Sequence, residues 1–391
     1  MADDPVALNS AGLRALGQGD SATAIALLRR AVAADPQSAL LWFNLATAFG
    51  AADNREEEGA ALDNALDREP YFGHALFAKG YALETAGDMP GALGMYIRLL
   101  AALDPNEQHG PGFAAGIAHA RGMVTEANSA LAARLDTGLA AVRAAIPAAD
   151  RLRFEHCVDI GLGRRKVYNQ QPLVLAYPYL PQDQFFDRRH FPWLAELEAA
   201  TPFIRAELQA LLAAGGEGFA PYVAYPPGAP VNQWATLNHS DAWAAQFMIQ
   251  HGVRNQLLWT RCPQTAAVLE RLPLFDCPGR GPVAFFSLLK PHTHIPPHTG
   301  ATNIRTTIHL PLIVPKNCSF RVGNETRTWV EGEAFVFDDT IEHEAINGSD
   351  ELRAVFIVDS WNPHLTMVER DLLRSYVAAL DATPDGSAAF D

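Results

Sequence analysis

At 391 residues the chain is longer than one ordinary core fills and suits two units of domain size. Apolar residues make up 49% and charged residues 19%, a composition that folds. The net charge of -14 and a pI near 5.4 argue against the clustered basic surface that a nucleic-acid partner requires. The start Met1-Ala2-Asp3-Asp4-Pro5 is acidic and lacks the apolar stretch of a secretory signal. No apolar run is long enough to cross a bilayer, residues 92–103 being interrupted by Arg98. The expectation is a cytoplasmic protein with neither nucleic acid nor membrane as partner. Cys157, Cys262, Cys277 and Cys318 lie too far apart in sequence for a zinc or dithiol motif and are expected to be buried free thiols.

The first third repeats. Ala34-Asp35-Pro36, Arg68-Glu69-Pro70 and Leu103-Asp104-Pro105 place prolines 34 and then 35 residues apart, the period of a helix-turn-helix solenoid. Small and aromatic residues recur where paired helices pack closely: Gly12, Ala24, Leu28 and Ala31; Trp42, Leu45, Ala46, Phe49, Leu62 and Ala65; Gly80, Ala92 and Tyr96. Each helix should stop before its Asp-Pro or Glu-Pro, because the residue before proline disfavours the α region. The pattern resembles the tetratricopeptide repeat over residues 1–110, a module that presents a concave surface to a protein or peptide or else braces its neighbour. Residues 111–165 continue as an Ala-rich helical connector.

From Pro282 the pattern changes. Short runs rich in β-branched and aromatic residues follow one another, among them Val283-Ala284-Phe285-Phe286, Thr306-Thr307-Ile308-His309-Leu310, Ser319-Phe320-Arg321-Val322, Thr328-Trp329-Val330, Ala334-Phe335-Val336-Phe337 and Ala354-Val355-Phe356-Ile357-Val358. Gly, Asn, Asp and Pro separate them, with Gly323-Asn324 at a hairpin turn, so the C-terminal part reads as an antiparallel jelly roll enclosing a ligand pocket. The fold class is α + β multidomain: a helical solenoid, then a double-stranded β-helix of the jelly-roll or cupin-like kind over residues 166–391.

Five histidines crowd this region: His292, His294, His298, His309 and His343. His298 closes His294-Ile295-Pro296-Pro297-His298-Thr299-Gly300, and His343 lies in Asp338-Asp339-Thr340-Ile341-Glu342-His343-Glu344. Two imidazoles on neighbouring strands suit a divalent iron centre that keeps open positions. The carboxylate of a facial triad is missing, since Gly300 stands where a His-x-Asp or His-x-Glu pair would put it. His292 and His294 are read as ordinary surface or core residues.

The wording Pro297-His298-Thr299-Gly300-Ala301-Thr302-Asn303, then His309-Leu310, then Phe337-Asp338-Asp339 with Glu342-His343-Glu344, resembles the aspartyl/asparaginyl β-hydroxylase family over roughly residues 170–370, from Phe191-Pro192-Trp193-Leu194 to Ser360-Trp361-Asn362-Pro363. The resemblance implies a 2-oxoglutarate-dependent dioxygenase with Fe(II), 2-oxoglutarate and O2 as cofactors. It makes His298 and His343 the metal ligands, with water in the third position. It gives Arg353 the distal carboxylate of 2-oxoglutarate, Ser287 a hydroxyl that helps to hold it, and His309 a contact near the metal-binding end. Asp339 would order the metal-bound water. The family's animal members carry a lysine and an arginine at the positions of Phe285 and Thr307, and Arg305 would compensate. The implied reaction is hydroxylation of an unactivated C–H, on an Asp/Asn-type side chain of a protein or peptide recruited by the repeats. The alternatives are the same chemistry on a small molecule or lipid acyl chain, or a non-catalytic repeat scaffold with a degenerate jelly roll.

The middle region gives less. Residues 191–197 lead into a helix ending before Gly215-Gly216, and Cys262-Pro263-Gln264 starts another. Tyr222, Trp234, Asn238, Trp243 and Trp259 face either a substrate cleft or the core, and no catalytic role is assigned to them.

Overall fold

A computed structural model describes residues 4–104 and 108–382. It separates into two compact units, Met1–Leu162 and Gly163–Asp391.

The first unit is a stack of paired helices: α1 (Pro5–Gly17) with α2 (Ser21–Ala34), α3 (Ala39–Ala51) with α4 (Arg55–Arg68), and α5 (Gly73–Thr85) with α6 (Met89–Ala102). Each pair recurs at the period of the prolines. α2 and α4 end one residue before Asp35 and Glu69, whose φ of -137° and -133° are the extended values that a following proline imposes. Pro105, the third in the series, lies outside the described residues. The side chains of Asp20, Ser38, Asn54 and Asp88 accept from backbone N–H groups of the first turn of α2, α3, α4 and α6.

The small residues are dictated by packing. A Cβ on Gly12 would come within 2.7 Å of Leu28, and one on Gly80 within 2.5 Å of the Tyr96 ring. Ala24, Leu28, Ala31, Leu62, Ala65, Leu76, Ala92, Tyr96 and Leu99 are completely buried. The long helix α7 (Pro111–Ala145) buries Gly116, Ile117 and Ala120 near its start, and α8 (Ala148–Gly161) has no buried residue. Cys157 on α8 is exposed, whereas the other three thiols are buried as expected.

The second unit opens with α9 (Leu194–Ala199) and α10 (Thr201–Ala213). Its strands are β1 (Ala220–Pro221), β2 (Trp243–Gln250), β3 (Val253–Arg254), β4 (Ala284–Leu289), β5 (Thr293–His298), β6 (Arg305–Ile313), β7 (Cys318–Val322), β8 (Glu325–Arg327), β9 (Phe335–Phe337), β10 (His343–Asn347) and β11 (Arg353–Trp361). The helices α11 (Gln256–Arg261) and α12 (Pro263–Leu269) are inserted after β3, and α13 (Met367–Asp381) ends the fold. All ladders are antiparallel. One sheet runs β1-β2-β4-β11-β6-β9 with β3 on β2, and the other runs β5-β10-β7-β8.

Alternation along the strands divides the larger sheet into two faces. Phe286, Leu288, Ile308, Leu310, Ala354, Phe356 and Val358 point to an outer core shared with Leu194, Ile204, Leu208 and Leu269 of the helices. Their neighbours Leu289 and Val355 point inward, to a second core with Ile295, Phe320, Val322 and Ala345 of the smaller sheet. The candidate site residues of β4, β6 and β11 have this inward parity. The expected strand at Thr328-Trp329-Val330 lies three residues earlier. The tight turn pairs Val322 with Glu325, so the return strand starts at once, and Trp329 has left the ladder to put its indole against Arg353. β2 was not anticipated.

Candidate metal and cosubstrate site

His343 begins β10 and stands opposite His298 at the end of β5. On β10 the inward residues are His343, Ala345 and Asn347. On β5 Thr293 and Ile295 face inward, and strict alternation would turn His298 out. The ladder slips between these pairs, Ala345 facing Ile295 while His343 faces His298, and the extra residue brings His298 inside. Pro296-Pro297 occupy this irregular stretch, where regular donors are not needed. The two rings end with centroids 4.0 Å apart.

Both rings have their tautomer set. The Nδ1 of His298 lies 2.8 Å from the Pro296 carbonyl and that of His343 lies 3.0 Å from the Ile341 carbonyl. A carbonyl only accepts, so each Nδ1 carries the proton and each Nε2 keeps a lone pair. Burial lowers the pKa of His298, and burial with the neighbouring His298 holds His343 well below its ordinary value. Both are therefore neutral, the form in which imidazole ligates a metal. Among the described residues no three His, Cys, Asp or Glu side chains are grouped to hold an ion. The donor set is two imidazoles, and it fits a divalent metal that takes its remaining ligands from water and a chelating cosubstrate.

Gly300 explains the missing carboxylate. A Cβ there would lie 2.3 Å from Cγ of Asp339 and 2.5 Å from each carboxylate oxygen. Asp339, from the segment before β10, thus fills the volume that a side chain at position 300 would take. Its Oδ2 accepts from Thr307 at 3.2 Å and from Arg305 at 3.3 Å, while its Oδ1 is buried without a hydrogen-bond partner. The loops are strapped together by Gln171, Leu173 and Val174, whose N–H groups donate to the carbonyls of Thr340, Gly300 and Ala301. Sequence reasoning missed this strap, which carries no motif.

Arg353 starts β11 and is 1% exposed. Its guanidinium lies 4.3 Å from the Trp329 ring centroid, and its Nε and Nη1 are buried without partners. Among the described residues no ion pair involves it, and burial pulls its pKa down to about 10. His309 is also buried, with Nδ1 unpaired, and burial followed by the Arg353 charge keeps it neutral. Ser287 accepts from the Trp243 indole at 3.2 Å. Ser287, His298, His309, Asp339, His343 and Arg353 line one cleft of 1370 Å³, together with Arg305.

Arg305 reaches the same cleft from the start of β6. It pairs with Trp361, the far end of β11 from Arg353, roughly 26 Å along the strand. Its two terminal nitrogens meet Asp339 and Asp359, each at 3.3 Å. It serves the carboxylate end of the site. Tyr222, Trp234 and Trp243 line the cleft. Trp259 packs on the outer core beneath Arg254, and the Asn238 side chain accepts from the Tyr225 N–H.

Residues 198–363 match the family described as Aspartyl/Asparaginyl beta-hydroxylase, and residues 5–48 match the tetratricopeptide repeat. The human protein named aspartyl/asparaginyl beta-hydroxylase is 40% identical over 135 residues, 34% of this chain and 18% of that protein. The ornithine lipid ester-linked acyl 2-hydroxylase of Rhizobium tropici is 34% identical over 197 residues, 49% of this chain and 66% of the relative. The aspartate beta-hydroxylase domain-containing protein 2 of Xenopus tropicalis is 34% identical over 215 residues, 54% of this chain and 55% of that one. The chain thus spans less than two thirds of each of these relatives. These matches, with N-terminal helical repeats followed by an antiparallel sheet unit, place residues 198–363 with the aspartyl/asparaginyl β-hydroxylase family and the N-terminal helices with the tetratricopeptide repeat.

Proposed function

We propose that the C-terminal unit is an iron(II)- and 2-oxoglutarate-dependent dioxygenase that hydroxylates an unactivated C–H. The observation that carries this reading is Arg353: a cation completely buried, unpaired, and placed in a cleft with two neutral imidazoles. A buried charge without a partner is costly, and an anion that enters the cleft relieves that cost. The planar guanidinium suits a carboxylate better than an ammonium would.

His298 and His343 would hold the metal through Nε2. Ser287 and Arg353 would bind the distal carboxylate of 2-oxoglutarate, the serine hydroxyl remaining free to donate because it accepts from Trp243. His309, on β6 beside β11, would pack near the metal-binding end. Asp339, held by Thr307 and Arg305, would direct its unpaired Oδ1 at a metal-bound water in place of a third protein ligand. When bound, iron with 2-oxoglutarate and O2 supplies the oxidising power for C–H hydroxylation, 2-oxoglutarate leaving as succinate and CO2. The protein contributes positioning and the exclusion of water.

The family name points to an Asp/Asn-type side chain of a protein or peptide, and the Rhizobium relative's name to an acyl chain. The repeats would supply recruitment of a protein or peptide. The test is formation of succinate from 2-oxoglutarate by purified protein with Fe(II), ascorbate and O2, compared with the Arg353→Ala variant. If neither turnover nor binding of 2-oxoglutarate to Mn(II)-loaded protein is detected, the reading fails.

A further inference from the structure

The register across the large sheet lays Phe247, Phe285 and Ile357 on one rung, with His309 next in line. All four have inward parity and line the cleft, and Phe247 and Ile357 are only half-buried, so their faces are open to it. Tyr222 extends the surface, its ring stacked on Trp243 at 4.1 Å and on Phe285 at 5.6 Å, and Phe247 meets Phe285 at 4.8 Å. These rings lie within about 32° of one another and form a slab rather than a cage. A cage would enclose a cation, whereas a slab offers flat apolar area.

The charges of the cleft are already committed. Arg305 is held between Asp339 and Asp359, Arg254 pairs with Glu270, and Arg280 pairs with Asp381. With Arg353 assigned to the cosubstrate, no arginine lining the cleft is available to receive a carboxylate from a second molecule. An acidic side chain laid on the slab would lose hydration without a compensating partner. A hydrocarbon would gain by burial.

We propose that the Phe247-Phe285-Ile357 rung, with Tyr222 above it, is the substrate-binding floor and selects a saturated, uncharged hydrocarbon segment for oxidation. This rests on the oxygenase reading of the same site, and it names the substrate chemistry that reading leaves open. The segment is either the chain of an acyl group or an aliphatic amino-acid side chain.

The experiment uses the full chain loaded with Mn(II) and 2-oxoglutarate, and measures binding of butanoyl, hexanoyl and octanoyl amides, a leucine-containing peptide and an aspartate-containing peptide of equal length. Each methylene laid on the floor should tighten binding about fourfold. Affinity should therefore climb steeply along the acyl series, and Phe247→Ala should weaken the octanoyl amide more than the butanoyl. The source is read from whether the longest acyl amide or the leucine peptide binds more tightly. In parallel, Fe(II)-loaded protein should form succinate faster with the preferred probe and add one oxygen atom to it. A flat acyl series, no binding by any hydrocarbon probe, or tighter binding of the aspartate peptide overturns the proposal. Binding of 2-oxoglutarate alone is measured separately. If 2-oxoglutarate binds and the series is flat, only this inference falls. If the series climbs and 2-oxoglutarate does not bind, the oxygenase reading falls, and with it the oxidation of the segment, while the rung remains a hydrocarbon-binding surface.

Discussion

Replacing Gly300 by alanine tests the relation between the missing ligand and Asp339. The new Cβ would sit 2.3 Å from the Asp339 carboxylate carbon, so the carboxylate must retreat by about 1 Å to reach ordinary contact. The backbone cannot yield instead, because the Gly300 N–H donates to the Asp339 carbonyl at 2.6 Å and the Gly300 carbonyl accepts from the Leu173 strap at 3.1 Å. The bonds from Thr307 at 3.2 Å and Arg305 at 3.3 Å are already long, and a further ångström breaks them. Losing these charge-assisted bonds should cost about 2–4 kcal/mol of unfolding free energy. In an Asp339→Ala background there is no carboxylate to displace, and the same glycine change should cost less than ~1 kcal/mol. Urea denaturation of the two single variants and the double variant gives the coupling directly. Additive effects would refute the claim that the Asp339 carboxylate occupies the side-chain volume of position 300. Mn(II) affinity, measured on the parent and these three variants, should fall in both single variants.

Arg353→Met should abolish binding of 2-oxoglutarate yet raise the stability of the ligand-free protein, since a pKa drawn from 12.5 to about 10 corresponds to a burial cost on the order of 3 kcal/mol; calorimetry and denaturation read the two effects. His343→Ala should eliminate Mn(II) binding with the circular dichroism spectrum retained. Gly80→Ala in the repeats should destabilise the first unit by about 1–3 kcal/mol, because its Cβ meets the fully buried Tyr96 ring at 2.5 Å; thermal unfolding of the full chain reads this. Asp359 gives a pH signature. Burial, opposed by Arg305, raises its pKa from 3.8 to about 6, so the folded state binds more protons between those values and the group's contribution to stability is full below pH 4 and lost as pH rises through 6. The stability difference between the parent and Asp359→Asn should accordingly shift against the parent from pH 4 to pH 7; a constant difference would show that the carboxyl is not desolvated.

The site was legible in the sequence where it depends on local wording. His298 and His343 sit in strings of unusual residues, and the helix ends before Asp35-Pro36 and Glu69-Pro70 follow from the backbone chemistry of a single dipeptide. What failed depends on pairing between distant segments. β2 is buried on both faces, so its run Trp243-Ala244-Ala245-Gln246-Phe247-Met248 shows no alternation that separates a strand from a buried helix. Without β2 there was no way to see Phe247 beside Phe285, or Trp243 donating to Ser287. The place of Arg305 is hidden for the same reason: its nearness to His309 in sequence does not show that β6 carries it to the end of β11 away from Arg353. The bulge that turns His298 inward had a sequence mark, Pro296-Pro297, but its consequence appears only once β10 is paired with it.

The unpaired groups of the cleft have a common physical meaning. Arg353, His309 and the Asp339 Oδ1 are all buried short of hydrogen-bond partners, and a domain tolerates such losses only where the rest of the fold over-determines their placement. Here each is locked from outside the site: Arg353 by the Trp329 ring, His309 by the ladder to Ile357, and Asp339 by Thr307 and Arg305. Their positions are therefore set before any ligand arrives. On the proposed reading, the free energy lost in desolvating them during folding would be returned by an anion and a metal-bound water that supply the missing partners, so ligand binding should strengthen the fold beyond what simple occupancy of a relaxed site would give. The same reasoning separates the two halves of the cleft. The Arg353 end is short of partners and calls for a charged ligand, while the Phe247-Phe285-Ile357 end lacks only apolar cover.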